Sequence, residues 1–81
     1  MTHEIATGDD GTLRLTIAGE LDVVSVYDLR PVLDTLVTGR PRRVEVDLSR
    51  LRILDSSGVG ALISLYKRVR AQGGEVVVTG L

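Results

Sequence analysis

The segment Leu54-Asp55-Ser56-Ser57-Gly58-Val59-Gly60 decides the fold, because an alternating pattern gives way to a helical one across it. Before it, Val44, Val46 and Leu48 alternate with Glu45 and Asp47, the period of a half-buried strand. After it, Val59, Leu62, Ile63, Tyr66 and Val69 recur at helical spacing and predict one apolar face. The segment therefore reads as the entrance to a helix that follows a strand. Ser57 is expected as the N-cap, its hydroxyl oxygen accepting from the free N–H of Val59 or Gly60. Such a helix start concentrates positive partial charge and unpaired donors, which suit a phosphate or a carboxylate. Capping alone is the plain role for that serine, and carrying a phosphate is the sharper one.

Upstream, residues 3–7 predict a short first strand, and Gly8-Asp9-Asp10-Gly11 is a dense turn signal. Leu13, Leu15 and Ile17 then alternate with polar neighbours, so the two strands form a hairpin that Gly19-Glu20-Leu21-Asp22 closes. Ser25-Val26-Tyr27-Asp28 has capping-box spacing, with Asp in place of Glu. Leu29, Val32, Leu33, Leu36 and Val37 follow as one helical stripe, in which Pro31 predicts a kink or irregular first turns. Gly39 and Pro41 are expected to end that helix. Downstream, Lys67, Arg68 and Arg70 sit near the end of the second helix, Gln72-Gly73-Gly74 stops it, and Glu75–Thr79 is a last strand.

The order is thus β-β-α-β-α-β, a single α/β domain with right-handed crossovers. Parallel strands covered on both faces read as continuous apolar runs, yet Arg14, Glu45 and Asp47 interrupt these. Both helices are therefore expected on one face of a mixed four-stranded sheet, in order 1-2-3-4, with only the first strand antiparallel. The loops beyond the carboxyl ends of parallel strands are where ligands and partners meet such sheets. Here they are Gly19–Ser25 and Ser49–Ser57, expected side by side.

Composition excludes several functions. The 81 residues suffice for one small core, and the absence of cysteine removes disulfides and thiolate metal sites. A net charge of −1, with two tyrosines and no Phe or Trp, argues against nucleic acid, and no apolar run is long enough for a membrane span. The start lacks the basic residues of a signal peptide, which suits a cytoplasmic protein. There is no Gly-x-Ser-x-Gly, and the sole histidine is His3, so a serine esterase is disfavoured and no enzyme is expected. Nor is there a phosphate-loop spacing. Asp22, Asp47 and Asp55 suit turn, cap and solvent roles better than a metal site, so neither metal nor cofactor is expected.

Gly19-Glu20-Leu21-Asp22, Val46-Asp47-Leu48-Ser49 and Leu54–Leu62 together resemble the STAS domain of bacterial anti-sigma factor antagonists, in register along the whole chain. The resemblance implies a partner that is both an anti-sigma factor and a serine kinase, bound when the antagonist is unphosphorylated so that a sigma factor is freed. It implies phosphorylation at Ser57 as the off-switch and a phosphatase that reverses it. The partner surface it implies comprises Leu21, Asp22, Val23, Asp55, Ser56, Gly58, Val59 and Ala61, with the small Gly58, Gly60 and Ala61 permitting close approach.

Two departures stand out. The family usually continues with a further helix, strand and helix, without which Val76-Val77-Val78 is an open apolar edge that invites a homodimer. Arg50 and Arg52 replace small or uncharged residues and Ile53 a common aromatic, the arginines being expected as solvated loop charges. The alternative function is a STAS scaffold or accessory subunit of a stress-signalling or transporter complex.

Overall fold

Alternation, turn chemistry and helical stripes produce the expected order. The computed structural model describes residues 1–81 as β1 (Thr2–Thr7), β2 (Thr12–Leu21), α1 (Val26–Thr38), β3 (Arg43–Leu54), α2 (Ser56–Ala71) and β4 (Glu75–Thr79). The sheet runs β1-β2-β3-β4, with β1 antiparallel to β2 and the β2–β3 and β3–β4 pairs parallel. The hairpin turn closes through the Gly8 N–H donating to Thr12 O at 2.8 Å, while the Thr12 N–H donates to the Asp10 carboxylate at 3.0 Å. Gly11 supplies the left-handed residue there at φ 84°.

Register sets the layers. Leu13 pairs with Val44 and Leu15 with Val46, and Leu15, Ile17, Val44, Val46 and Leu48 are buried in one cluster with residues of both helices. Arg14 pairs with Glu45 on the opposite face, where their side chains form an ion pair at 3.0 Å. Glu45 also pairs with Arg43, which bonds to Glu75 of β4, so the guanidinium is held charged even more firmly than usual, chiefly by Glu75. Charge thus laces the open face of three strands. Such exposed pairs add little stability, and the helix-side core carries the fold.

Several local expectations are corrected. Residues 49–54, expected as loop, continue β3 and pair with β2 as far as Leu21–Leu54. Two register shifts, between Thr16 and Ala18 and between Gly19 and Glu20, absorb the extra β3 residues. Gly19 sits at the second shift with φ 90°, which a side chain would strain. α1 is continuous through Pro31, whose missing N–H falls on an exposed side of the helix. The left-handed residue after α1 is Arg40 (φ 50°), while Gly39 remains helical (φ −72°).

The buried face of α2 also differs from the expected one. Gly58, Ala61, Leu65 and Val69 face the core, whereas Val59, Ile63 and Tyr66 are exposed. Gly58 explains the choice: a Cβ there would lie 2.7 Å from Leu21 Cγ and 2.8 Å from Leu54 Cδ1. Small residues let α2 lie close against the strand ends, and the bulkier stripe turns outward.

Candidate functional site

The β2–α1 loop and the start of α2 form one edge at the carboxyl ends of β2 and β3. Direct bonds join them: the Asp55 N–H donates to Leu21 O, and the Val23 N–H donates to Asp55 Oδ2, both at 3.1 Å. Asp55 has extended backbone (φ −97°, ψ −178°), and its Oδ1 accepts from Ser57 N–H at 2.9 Å and Gly58 N–H at 3.1 Å. Asp55 is therefore the N-cap, and the expectation that Ser57 caps α2 is corrected. Ser57 lies one turn-step inside the helix, half-buried, and its hydroxyl makes no hydrogen bond within the chain.

The neighbouring loop is built on Asp22 in the same way. Its Oδ1 accepts from the N–H groups of Val24 and Ser25 at 3.0 and 2.8 Å and from the Ser25 hydroxyl at 3.1 Å. The Ser25 backbone N–H, then its hydroxyl, hold the Asp22 carboxyl below the ordinary aspartate range. Ser25 makes no side-chain cap on α1, correcting the expected capping box: its Oγ accepts from Asp22 N–H at 2.9 Å and lies 2.8 Å from Glu20 O. Its hydroxyl fixes the loop from within.

The expected surface residues divide sharply. Asp22, Val23, Asp55 and Ser56 lie along the edge with Ser57, and Val59 is exposed one step further along α2. Leu21, Gly58 and Ala61 are buried instead, so they shape the edge from beneath and present no side chain to a partner. Sequence reading missed Val24, and Tyr27, expected to pack in the core or at its rim, stands outside the core; the two are 74% and 72% exposed on the same loop and helix start. Together with Val23 they put apolar surface beside the carboxylates. The signal was visible in Val23-Val24-Ser25-Val26-Tyr27, where only Val26 is needed by the core.

Electrostatically the edge is acidic. Asp47 stands apart, its carboxylate accepting from Ser49 N–H at 2.9 Å, so the three aspartates do not converge. Arg52, expected to be solvated, lies 3.9 Å from Glu20 and leaves that acid partly compensated. The Ser57 and Gly58 N–H groups are already occupied by Asp55, so a phosphate on Ser57 would find few open donors at the helix start. Its charge would be met by two neighbouring aspartates.

The STAS domain family model matches residues 5–81, and the chain belongs to that family. An anti-sigma-B factor antagonist of Listeria monocytogenes is 26% identical over 78 residues, spanning 96% of this chain and 68% of the relative. A STAS-domain antisigma-factor antagonist structure from Rhodobacter sphaeroides superposes with TM-score 0.83 at 30% identity, covering 98% of this chain and 85% of the other. The Bacillus cell fate determinant SpoIIAA in its phosphorylated form superposes with TM-score 0.76 at 25% identity, covering 93% of this chain and 68% of the other.

Proposed function

We propose that this protein is an anti-sigma factor antagonist whose Asp22–Ser57 edge docks on an anti-sigma factor with serine kinase activity. Unphosphorylated, it occupies that factor and frees a sigma factor. In the switching step the Ser57 oxygen attacks the γ-phosphorus of ATP held by the kinase, gives up its proton and releases ADP. A phosphatase returns the hydroxyl by hydrolysis.

The observation that carries this reading is the Ser57 hydroxyl: it lies on the edge, and Asp55 has taken over the cap. A side chain with no structural duty can gain and lose a phosphate without unfolding its helix. The modification adds roughly −1.5 to −2 charges near pH 7, beside Asp22 and Asp55 and the apolar Val23, Val24 and Tyr27. Repulsion and lost desolvated contact then act together against the partner. The phosphorylated SpoIIAA structure and the names of the relatives support the same reading.

The test is incubation with ATP and a purified anti-sigma factor of the serine-kinase type, followed by mass spectrometry. A single phosphate on Ser57 is expected. Ser57→Ala should retain binding in calorimetry and Ser57→Glu should lose it. Phosphate at another residue, or equal binding by both variants, would overturn the assignment.

A further inference from the structure

α1 and α2 lie side by side on the sheet, and the groove between them opens at the Asp22–Ser57 edge. On α2, Ser57, Ala61, Ser64 and Arg68 recur at helical spacing as the stripe that faces α1. On α1, Tyr27, Arg30 and Asp34 form the answering stripe, and Arg68 bonds to Asp34 at 2.9 Å across the far part of the groove. Between them lies a hollow of about 220 Å³ lined by Arg30 and Ser64, with Leu33 and Ala61 buried as its floor.

Arg30 is the unpaired member of this groove. The carboxylate it would ordinarily take is its i+4 neighbour Asp34, which Arg68 holds instead. The Arg30 guanidinium makes no ion pair within the chain and stands exposed on the α1 bank. Ser57 stands on the other bank, four residues before Ala61, a step of about 6 Å at 1.5 Å per residue. The three methylenes and guanidinium of an arginine span such a step. A phosphate on Ser57 needs a group of this kind. Asp55 already takes the Ser57 and Gly58 N–H groups, and Arg52, at the end of β3, lies by Glu20.

We infer that Arg30 is the receptor for the Ser57 phosphate: its guanidinium turns along the groove, donates to two phosphate oxygens and holds the group across the groove mouth beside Tyr27. The inference rests on the reading of Ser57 as the switch and adds how the modified form is held. Arginine suits the task, because its planar fork presents parallel N–H donors to a phosphate. Neither helix has to move, since the side chain that turns has no ion pair to break. The phosphate then spans the two helices at the edge where the unmodified hydroxyl leaves the groove open.

The test uses the full chain made with Ser57 already phosphorylated, by incorporating phosphoserine during translation, and follows the phosphate by phosphorus NMR across pH. Arg30→Gln should move the second ionisation of the phosphate to higher pH by roughly half a unit, because a neighbouring cation favours the dianion and an exposed pair is modest. Arg30→Lys should recover most of that difference. Arg42→Gln, at the opposite end of the domain, should leave the titration in place. Asp22 and Asp55 on the edge and the Arg68–Asp34 pair stay the same in every variant, so their fields cancel in the comparison. In the unsubstituted chain the Arg30 Nε–H resonance should shift on phosphorylation and follow the same titration. Arg30→Gln should leave the unfolding midpoint of the unphosphorylated chain unchanged, which separates phosphate binding from a structural role. A titration indifferent to Arg30→Gln, or moved equally by Arg42→Gln, would leave the phosphate in solvent and overturn the inference. No kinase takes part, so this result stands apart from the test of the switch itself.

Discussion

The Asp55 carboxylate ties the start of α2 to the β2–α1 loop: one oxygen accepts from Val23 N–H at 3.1 Å while the other caps the helix. One side chain thus sets both the helix entrance and its distance from the apolar loop. The two duties separate in substitution. Asp55→Asn keeps one acceptor for the cap but presents an amide donor to the Val23 N–H. Asp55→Ala loses both and should cost about 1–2 kcal/mol in denaturant unfolding. Asp55→Asn should cost less, yet weaken anti-sigma factor binding in calorimetry as much as Asp55→Ala does.

Ser57→Ala should be close to neutral for stability, within about 0.5 kcal/mol, because its hydroxyl has no bond to lose. A serine acting as N-cap would instead cost about 1 kcal/mol on the same change. Urea unfolding of the two proteins distinguishes these outcomes directly. A loss of the larger size would return the cap to Ser57 and remove the reason its hydroxyl is available.

Tyr27 is the largest exposed side chain on the loop side of the Asp22–Ser57 edge. Aromatic residues in that position commonly anchor an interface, and a truncation there costs about 2 kcal/mol or more of binding. Tyr27→Ala should therefore reduce partner affinity by well over an order of magnitude. The unfolding midpoint should hardly move, since the ring is outside the core.

The glycines of α2 make opposite predictions two residues apart. Gly58→Ala places a methyl against Leu21 and Leu54 at distances that force one of them to shift, and should cost about 1–3 kcal/mol. Gly60→Ala meets open space in helical backbone and should stabilise by about 0.5–1 kcal/mol. Thermal unfolding of both variants checks the sign as well as the size.

Much of this was legible in the sequence, and the exceptions share a cause. Leu13-Leu15-Ile17 and Val44-Val46-Leu48 revealed the core face because a strand has only two faces to choose between. α2 offered two overlapping stripes. Bulk favoured Val59-Leu62-Ile63-Tyr66, but close contact with β2 and β3 required Gly58 and Ala61, and tertiary distance is invisible in a helical period. The cap was ambiguous for a similar reason: Asp55 and Ser57 are both competent, and the extended backbone at Asp55 decides between them. The shifts near Ala18 and Gly19 left only one glycine as a sign. The position of the edge was readable, since it follows from strand direction; which residues show their side chains there was not.

Acid should loosen the loops before it melts the core. Asp10, Asp22 and Asp47 each accept the N–H two residues ahead, and all three are held below the ordinary aspartate range. The first causes are the backbone N–H groups of Thr12, Ser25 and Ser49 respectively, each reinforced by the same residue's side chain. Arg43 adds attraction at Asp10, the N-terminal amine at Asp22, and Arg14 and Arg50 at Asp47. A carboxyl whose value is lower folded than unfolded contributes stability that is fully present above the unfolded value of about 4. That contribution falls as pH drops through the lower, folded value. Stability should therefore be flat with respect to these groups from pH 7 to about 5, and decline below about 4. Asp22→Asn should flatten part of that decline. Amide exchange at Val24 and Ser25, measured across the acid range and corrected for intrinsic rates, should show the loop losing protection as Asp22 protonates; protection unchanged by that protonation would mean that its carboxylate does not hold the loop.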